Sequence, residues 1–258
     1  YWQDVQIHLT YSTIMINVDD GKTTHTMFRK CYRHGINMTA VLQASRASRN
    51  ALYQNAPYDR FVTHLNHIQE SSTRRIYPEW MVILAIGLAS SAFCLIFGGH
   101  AVEALYTMLA AMAGALVRYL CSRVEFNVYV TIAASAFAAT VTAYFTMYLP
   151  GAISPFLPIV ACALTLIPGV PLINAVDDFL NNYLTSGMTR ITHTLLIMLA
   201  MTFGIAGAVG ITDVPSFTDV NIAPESLYLT QALAAAMAAL GFSIMFNVPK
   251  RYIPAACL

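Results

Sequence analysis

Six apolar segments follow one another along the chain from about residue 79, and a more polar segment precedes them. Five of the six have about 18 residues or more. At ~1.5 Å of rise per residue, a helix of 18 residues measures roughly 27 Å, close to the hydrocarbon core of a bilayer. The pattern therefore predicts a bundle of membrane-spanning helices. The six segments are residues 80–97, 102–120, 128–149, 156–167, 191–211 and 227–246.

The polar segment, residues 1–78, begins with strand patterns. Apolar and polar residues alternate over 5–9 and, with the opposite parity, over 14–18, which favours one bulged strand or two short strands. Asp20 and Gly21 then form a hairpin-turn signal ahead of a further strand over 23–30.

Two helices are predicted after these strands. Asn37 is a suitable N-cap for a helix over 38–54, and Pro57 suits the first turn of a helix that ends near Glu70. Strands and helices together predict a small α/β domain. Because the first residues already have a strand pattern, we expect this domain to be truncated at its N-terminus.

Composition supports the membrane prediction. Of the 258 residues, 57% are hydrophobic and only 10% are charged, whereas soluble domains carry about 25% charged residues. A water-soluble single domain and a disordered chain are both excluded. We expect no nucleic-acid partner, because no basic stripe accompanies a recognition motif. We also expect no metal and no cofactor, because the five cysteines lack the paired spacing of metal ligands.

The basic residues predict an orientation in the membrane. Nine of the 14 Lys and Arg residues lie in residues 1–78, so this segment is expected in the cytoplasm, where basic residues are enriched. Alternating crossings then place all the other basic residues on the same side. They are Arg118, Arg123, Arg190, Lys250 and Arg251. The predicted outer loops, at 98–101, 150–154 and 212–226, contain no Lys or Arg.

The fourth apolar segment is interrupted. Residues 156–167 supply only about 18 Å of helix before a Pro-Gly-Val-Pro sequence, Pro168, Gly169, Val170 and Pro171, breaks it. A broken helix at membrane depth is tolerated where its backbone groups are buried in protein or line a watery cavity. We therefore predict a transporter-like site, in which N–H groups near Val170 and Leu172 face an anionic group and the carbonyls near Pro168 are free.

The helix predicted after the break, residues 172–184, has an apolar face and a polar face. Its polar residues are Asn174, Asp177, Asp178 and Asn181. Asp177 is the first candidate to receive a proton or an ammonium group, and Asp178 is the second. We expect Ser186 and Gly187 to end this helix and Arg190 to begin the next crossing. In an alternative interpretation the helix lies flat at the cytoplasmic interface, with its aspartates in water.

The sequence around the break resembles the signature of the threonine/serine exporter family, which includes the N-terminal component of a two-part succinate exporter. The resemblance covers nearly the whole chain. Its main stretches are Leu-Ile-Pro-Gly-Val-Pro-Leu at 166–172, Asn-Ala-Val-Asp-Asp at 174–178 and Ser-Gly-Met-Thr-Arg at 186–190, supported by Phe-Gly-Gly at 97–99, Arg-Ile-Tyr-Pro at 75–78 and Arg-His-Gly-Ile-Asn at 33–37.

The resemblance implies a bacterial inner-membrane protein with a cytosolic domain (1–78), five transmembrane helices (79–211) and a second five-helix half, fused or separate. Residues 227–258 resemble the start of that second half, after an extracytoplasmic loop at 212–226. Five crossings per half imply an inverted repeat. The bilayer and a second half are thus expected partners, and a homo-oligomer is a further possibility.

Two more ionisable residues are candidates. Glu103 lies near the outer end of the second crossing and is a secondary candidate for proton coupling, although an acid so near the interface is commonly just hydrated. Arg190 is able to hold a substrate carboxylate, to pair with Asp177 or Asp178, or simply to anchor the helix at the inner surface.

The sequence therefore predicts a proton-coupled secondary transporter that exports small amino acids, first of all threonine and serine. Helix breaks beside Gly169 and Gly187 would let the site alternate in access, with a substrate carboxylate at the helix beginning near Pro171 and an ammonium or a proton at Asp177. Export of a dicarboxylate such as succinate is the alternative substrate class. A membrane-embedded hydrolase is a second class of function, although no nucleophile with a positioned base supports an enzyme. A scaffold subunit that transports nothing is a third.

Overall fold

The computed structural model describes residues 4–10, 12–30, 35–53, 57–72, 76–151, 155–212 and 228–257. The strands are β1 (Asp4–Leu9), β2 (Thr13–Asp19) and β3 (Thr24–Lys30). The helices are α1 (Met38–Tyr53), α2 (Tyr58–Ser72), α3 (Glu79–Ile96), α4 (Ala101–Arg123), α5 (Val128–Thr146), α6 (Phe156–Leu166), α7 (Gly169–Leu180), α8 (Leu184–Thr212), α9 (Tyr228–Met245) and α10 (Ile253–Ala256). Two compact units are present, one within 1–35 and 167–199, the other within 36–166 and 200–258.

The three strands form one antiparallel sheet in the order β1-β2-β3, in which Val5 lies opposite Val18. The change of parity in the sequence thus corresponds to two separate strands. The hairpin from β2 to β3 turns at Asp20, whose Oδ1 accepts hydrogen bonds from the backbone N–H groups of Lys22 (2.9 Å) and Thr23 (2.7 Å). These N–H groups, first that of Thr23 and then that of Lys22, lower the pKa of the Asp20 carboxyl.

Several helices are long and apolar enough to cross a membrane, which confirms the prediction of a multi-pass helical membrane protein. Among the described residues four helices qualify alone, namely α3, α4, α5 and α8, and the broken pair α6 and α7 supplies a fifth span when counted together. The loop predicted at 212–226 lies, apart from Thr212, outside the described residues, as do residues 152–154 of the loop after α5.

Small side chains fill the contacts between α3, α4, α5, α6 and α9. Ala92, Ala110 and Ala143 are fully buried on α3, α4 and α5. Gly241 of α9 lies so close to α3 that a Cβ atom there would be 2.6 Å from the Ala85 carbonyl oxygen. Small residues let membrane helices approach closely enough for continuous van der Waals contact.

A buried asparagine joins the ends of three helices. Asn247, just after α9, has a left-handed backbone with φ of 58° and is 5% exposed. Its Oδ1 accepts a hydrogen bond from the Ile76 N–H (2.9 Å), and its Nδ2 donates to Asn37 Oδ1 (2.9 Å). The Thr39 hydroxyl donates to its carbonyl oxygen at 2.6 Å. The beginnings of α1 and α3 are therefore tied to the end of α9.

Tyr77 strengthens this junction. It is almost fully buried just before α3, and its hydroxyl donates to the Val248 carbonyl oxygen at 2.8 Å. Burial raises the pKa of the Tyr77 phenol, so the neutral, donating form is the one that the junction contains.

The predicted boundary between α7 and α8 is wrong. The sequence predicts one helix over 172–184 that ends at Ser186 and Gly187, whereas α7 ends at Leu180 and α8 already begins at Leu184. The chain turns at Asn182, whose φ of 62° interrupts helical geometry. Gly187 lies inside α8, where a Cβ atom would be 2.7 Å from the Phe179 ring. This glycine therefore permits close packing and does not end a helix.

Candidate functional site

The helix break occurs where the sequence predicts it. α6 ends at Leu166, and Pro168 is the N-cap of α7 with φ of −49° and ψ of 66°. Pro168 and Pro171 have no backbone N–H, so a continuous helix through this segment would lack two of its hydrogen bonds. Pro171 instead occupies the first turn of α7, a position at which proline is tolerated.

Two backbone expectations at the break are wrong. The Pro168 carbonyl oxygen accepts a hydrogen bond from the Leu172 N–H at 3.3 Å, and the Ile167 carbonyl oxygen accepts one from the Gly169 N–H at 2.6 Å. The sequence predicts free carbonyls and a Leu172 N–H that faces a ligand. The first turn of α7 uses these groups itself, because α7 begins three residues earlier than predicted.

The polar face of α7 contains the four side chains that the sequence assigns to it. Asn174, Asp177 and Asn181 are exposed, and Asp178 is half-buried. The Asn181 Nδ2 donates to the Asp177 carbonyl oxygen (2.9 Å) and to the Asp177 Oδ1 (3.2 Å). Ala175, in contrast, is fully buried. Asp177 thus presents a carboxylate whose described hydrogen-bond donor is a neutral amide.

Arg190 pairs with the second of the two aspartates. Its Nε lies 3.0 Å from Asp178 Oδ2, and the two side chains are 26% and 18% exposed. Arg190 lies in the second turn of α8, where its own carbonyl oxygen accepts a hydrogen bond from the Thr194 hydroxyl at 2.8 Å. The sequence leaves the partner open between Asp177 and Asp178. Arg190 thus offsets the charge of Asp178, whereas the described donor to the more exposed Asp177 is a neutral amide.

Glu103 is buried, whereas the sequence leads us to expect an exposed acid near the interface. It is 3% exposed in the first turn of α4. Its Oε2 accepts a hydrogen bond from the His100 N–H at 3.0 Å, and its N–H in turn donates to the His100 side chain. This capping box folds the carboxylate back onto the N-terminus of its own helix, where a negative charge is stabilised.

His193 is a further ionisable residue of α8, which the sequence patterns above do not single out. It lies one turn beyond Arg190 in α8 and is half-buried. Any ionisable side chain within a membrane helix is a functional candidate, so its position alone would have been a sufficient signal. The described residues contain no group of three or more His, Cys, Asp or Glu side chains able to hold a metal ion.

The apolar side of α7 is largely uncovered. Ile173, Val176 and Leu180 are 69%, 49% and 77% exposed. An exposed apolar stripe opposite two acids is compatible with lipid contact at an interface as well as with a transport site. The geometry of α7 therefore leaves both interpretations of this helix in place.

Comparison with known proteins gives the family. The family model "Putative threonine/serine exporter" matches residues 2–212. The "Probable succinate transporter subunit YjjP" of Escherichia coli (strain K12) is 29% identical over 199 residues, which cover 77% of this chain and 76% of that protein. The protein of the same name from Klebsiella aerogenes is 27% identical over 196 residues, 76% of this chain and 74% of its own. No solved structure matches the chain. The chain is thus a multi-pass membrane protein that belongs to the threonine/serine exporter family.

Proposed function

We propose that this protein exports small carboxylate-bearing metabolites, first of all threonine and serine, across the bacterial inner membrane in exchange for protons. The observation that carries the proposal is the broken segment α6 and α7 with its two acids in different states. Asp178 is paired with Arg190 at 3.0 Å, whereas Asp177 is exposed beside the Asn181 amide. Within the described residues Asp177 has an amide donor and Asp178 has an arginine, so Asp177 is the acid that we assign to proton coupling.

The dimensions of α7 assign separate roles to its two ends. Asp177 lies eight residues beyond Gly169, which corresponds to ~12 Å along the helix axis. An α-amino acid has its ammonium and carboxylate groups on one carbon atom, so a single molecule does not reach both ends of α7. We therefore assign Asp177 to the proton. The substrate stays assigned to residues 168–171, where the positive end of the helix dipole favours a carboxylate, and to Asn174.

The coupling follows from the sign of the charges. An ionised Asp177 attracts the ammonium group of an amino acid bound near the first turn, whereas a protonated Asp177 does not, so the proton and the substrate favour opposite states of the site, as exchange requires. Proton gain on one side of the membrane and proton loss on the other would then alternate the affinity for substrate. Glu103, buried at the beginning of α4, is a secondary proton-coupling residue in this scheme.

The test is efflux of labelled threonine, serine and succinate from preloaded cells or proteoliposomes, with and without a proton gradient. We expect the wild-type protein to show gradient-dependent efflux of threonine or serine. Asp177→Asn should lose about nine-tenths of it or more, because an amide does not carry the proton; a tenfold loss corresponds to about 1.4 kcal/mol. Asp59→Asn, an acid in the first turn of α2, is the matched control and should export normally. Unchanged efflux by Asp177→Asn would favour the interfacial interpretation of α7 or a scaffold role.

Succinate is the second candidate substrate, because two relatives carry the name of a succinate transporter subunit. A dicarboxylate carries two negative charges, so its passage beside α7 requires Asp177 to be protonated or Arg190 to exchange Asp178 for the substrate. Wild-type efflux of succinate without efflux of threonine or serine would identify succinate as the substrate.

A further inference from the structure

We propose that a pocket between α3, α4, α5 and α6, with Arg118 at its edge, is a carboxylate-binding site for the exported metabolite. The inference rests on the proposed function only in that the metabolite carries a carboxylate, and it adds a second carboxylate position to the one assigned to residues 168–171. The pocket lies within one compact unit. Its lining combines one arginine with small and hydroxyl-bearing side chains: Ile86, Ala111, Gly114, Ala115, Arg118, Ser135, Ala139, Cys162, Thr165 and Leu166.

The hydroxyl groups of the pocket are placed by hydrogen bonds. The Ser135 hydroxyl donates to the Gly114 carbonyl oxygen at 2.9 Å, and the Thr165 hydroxyl donates to the Cys162 carbonyl oxygen at 2.8 Å. Both hydroxyl protons are therefore used within the bundle, and the Thr165 oxygen also accepts a hydrogen bond from the Ser90 hydroxyl at 3.3 Å. The positive charge of the pocket comes from the Arg118 guanidinium.

The buried hydroxyl group of Thr131 is an independent observation in favour of a ligand site. Thr131 is 7% exposed, and the part of the chain that the structure describes offers its Oγ1 no hydrogen-bond partner. It lies one turn before Ser135 and so on the same face of α5. Since α4 and α5 are joined by a short turn and run antiparallel, and Ser135 bonds to Gly114, Thr131 lies at about the level of Arg118. A buried hydroxyl without a partner is costly unless a ligand or water satisfies it.

Arg118 and the Thr131 hydroxyl, at about the same height along α4 and α5, are suitable hydrogen-bond donors for a carboxylate. The planar guanidinium matches the two carboxylate oxygens in a bidentate geometry, which the point charge of a lysine does not reproduce. The remaining walls, mostly alanine, glycine and aliphatic side chains, suit a short aliphatic body. The enclosed part of the pocket has room for about one water molecule, so binding of a whole metabolite requires the helices around it to separate, as alternating access demands.

Arg123 provides a matched control. It lies five residues beyond Arg118, at the end of the same helix, with its guanidinium 5.0 Å from the centre of the Tyr119 ring. It is absent from the lining of the pocket. Both arginines stand at the same end of α4, so a general effect of positive charge on orientation would affect them equally.

The experiment measures thermal unfolding of the purified full chain in detergent against increasing threonine, succinate and threoninol, an amino alcohol without a carboxylate. We expect threonine or succinate, but not threoninol, to raise the midpoint. Arg118→Lys should raise the half-saturating concentration at least tenfold and Thr131→Val about threefold, while Arg123→Lys binds like wild type. Ligand-free midpoints within a few degrees of wild type would show that the variants fold.

Three results would overturn the assignment. Equal affinities of Arg118→Lys and Arg123→Lys, with a carboxylate still stabilising both, would remove the site but leave the exporter intact. Stabilisation by threoninol equal to that by threonine would show that the carboxylate is not recognised. If neither threonine nor succinate stabilises the wild-type protein, the pocket and the proposed substrates fail together.

Discussion

Asn247 and Asn182 share a left-handed backbone conformation, with φ of 58° and 62°, but differ in what their side chains do. Asn247 is buried and bonds to Ile76 and Asn37, whereas Asn182 is exposed. Glycine adopts this conformation without strain. Replacement by glycine therefore leaves the backbone in place and removes only the side-chain hydrogen bonds, each worth about 1 kcal/mol.

We expect Asn247→Gly to lower the free energy of unfolding by about 1–3 kcal/mol and Asn182→Gly by less than about 0.5 kcal/mol. Asn247→Ala should cost a further 1–2 kcal/mol or so, because alanine resists a positive φ. Thermal unfolding of the purified protein measures all three. Equal midpoints for the two glycine variants would show that the buried junction contributes nothing to stability.

At the scale of single residues, the sequence predicts polar contacts within one helix better than contacts between distant segments. The shared face of Asp177 and Asn181 follows from helical periodicity alone. The partner of Arg190 stays open in the sequence, because Asp177 and Asp178 are adjacent and only the turn at Asn182 decides which of them the arginine meets. Asn247 and Asn37 are 210 residues apart, and no local pattern relates them.

Close helix contacts depend on particular glycines at the scale of the element. At Gly241 of α9, a Cβ atom would lie 2.6 Å from the Ala85 carbonyl oxygen and 2.8 Å from the Ala89 Cβ on α3. At Gly210, near the end of α8, nothing lies within 4 Å of such an atom. Alanine at position 241 therefore tests the space between α9 and α3, whereas alanine at position 210 tests helix propensity alone.

We expect Gly241→Ala to destabilise the protein by about 1–3 kcal/mol, because α9 must move away from α3. Gly210→Ala should be neutral or stabilise by up to about 1 kcal/mol, the gain in helix propensity. Unfolding midpoints in detergent, with size-exclusion profiles as a check on folding, give the comparison. A midpoint for Gly241→Ala at or above that of Gly210→Ala would contradict the close packing of α3 and α9.

Helix positions follow from hydrophobic runs, but helix ends depend on tertiary contacts. The predicted crossings at 80–97 and 102–120 differ from α3 and α4 by at most three residues at either end. The predicted boundary between α7 and α8 is wrong because the sequence marks Gly187 as a helix end. In the structure this glycine lies inside α8, where the Phe179 ring leaves no room for a side chain. Glycine occurs both at helix ends and at close contacts within a fold, and only the packing distinguishes the two cases.

Charge distribution is the property that operates at the scale of the whole molecule. All 14 Lys and Arg residues lie in the polar N-terminal segment or near the helix ends that the sequence assigns to the cytoplasmic side. The turn between α4 and α5 follows Arg123, whereas the segment after α5, beginning with Met147 and Tyr148, contains no basic residue before α6. Basic residues in short loops determine which side of the membrane a loop occupies.

We therefore expect Glu125, between α4 and α5, to face the cytoplasm and Tyr148, after α5, to face the outside. Single cysteines at these positions, in a variant whose five native cysteines are replaced, make the test with a membrane-impermeant maleimide. Tyr148→Cys should react in intact cells, and Glu125→Cys only after permeabilisation. Both positions are exposed, so absence of reaction reports the membrane and not burial. The reverse labelling would place the Arg118 end of α4 outside, and a protein so oriented would take up its carboxylate substrate at the wrong surface for export.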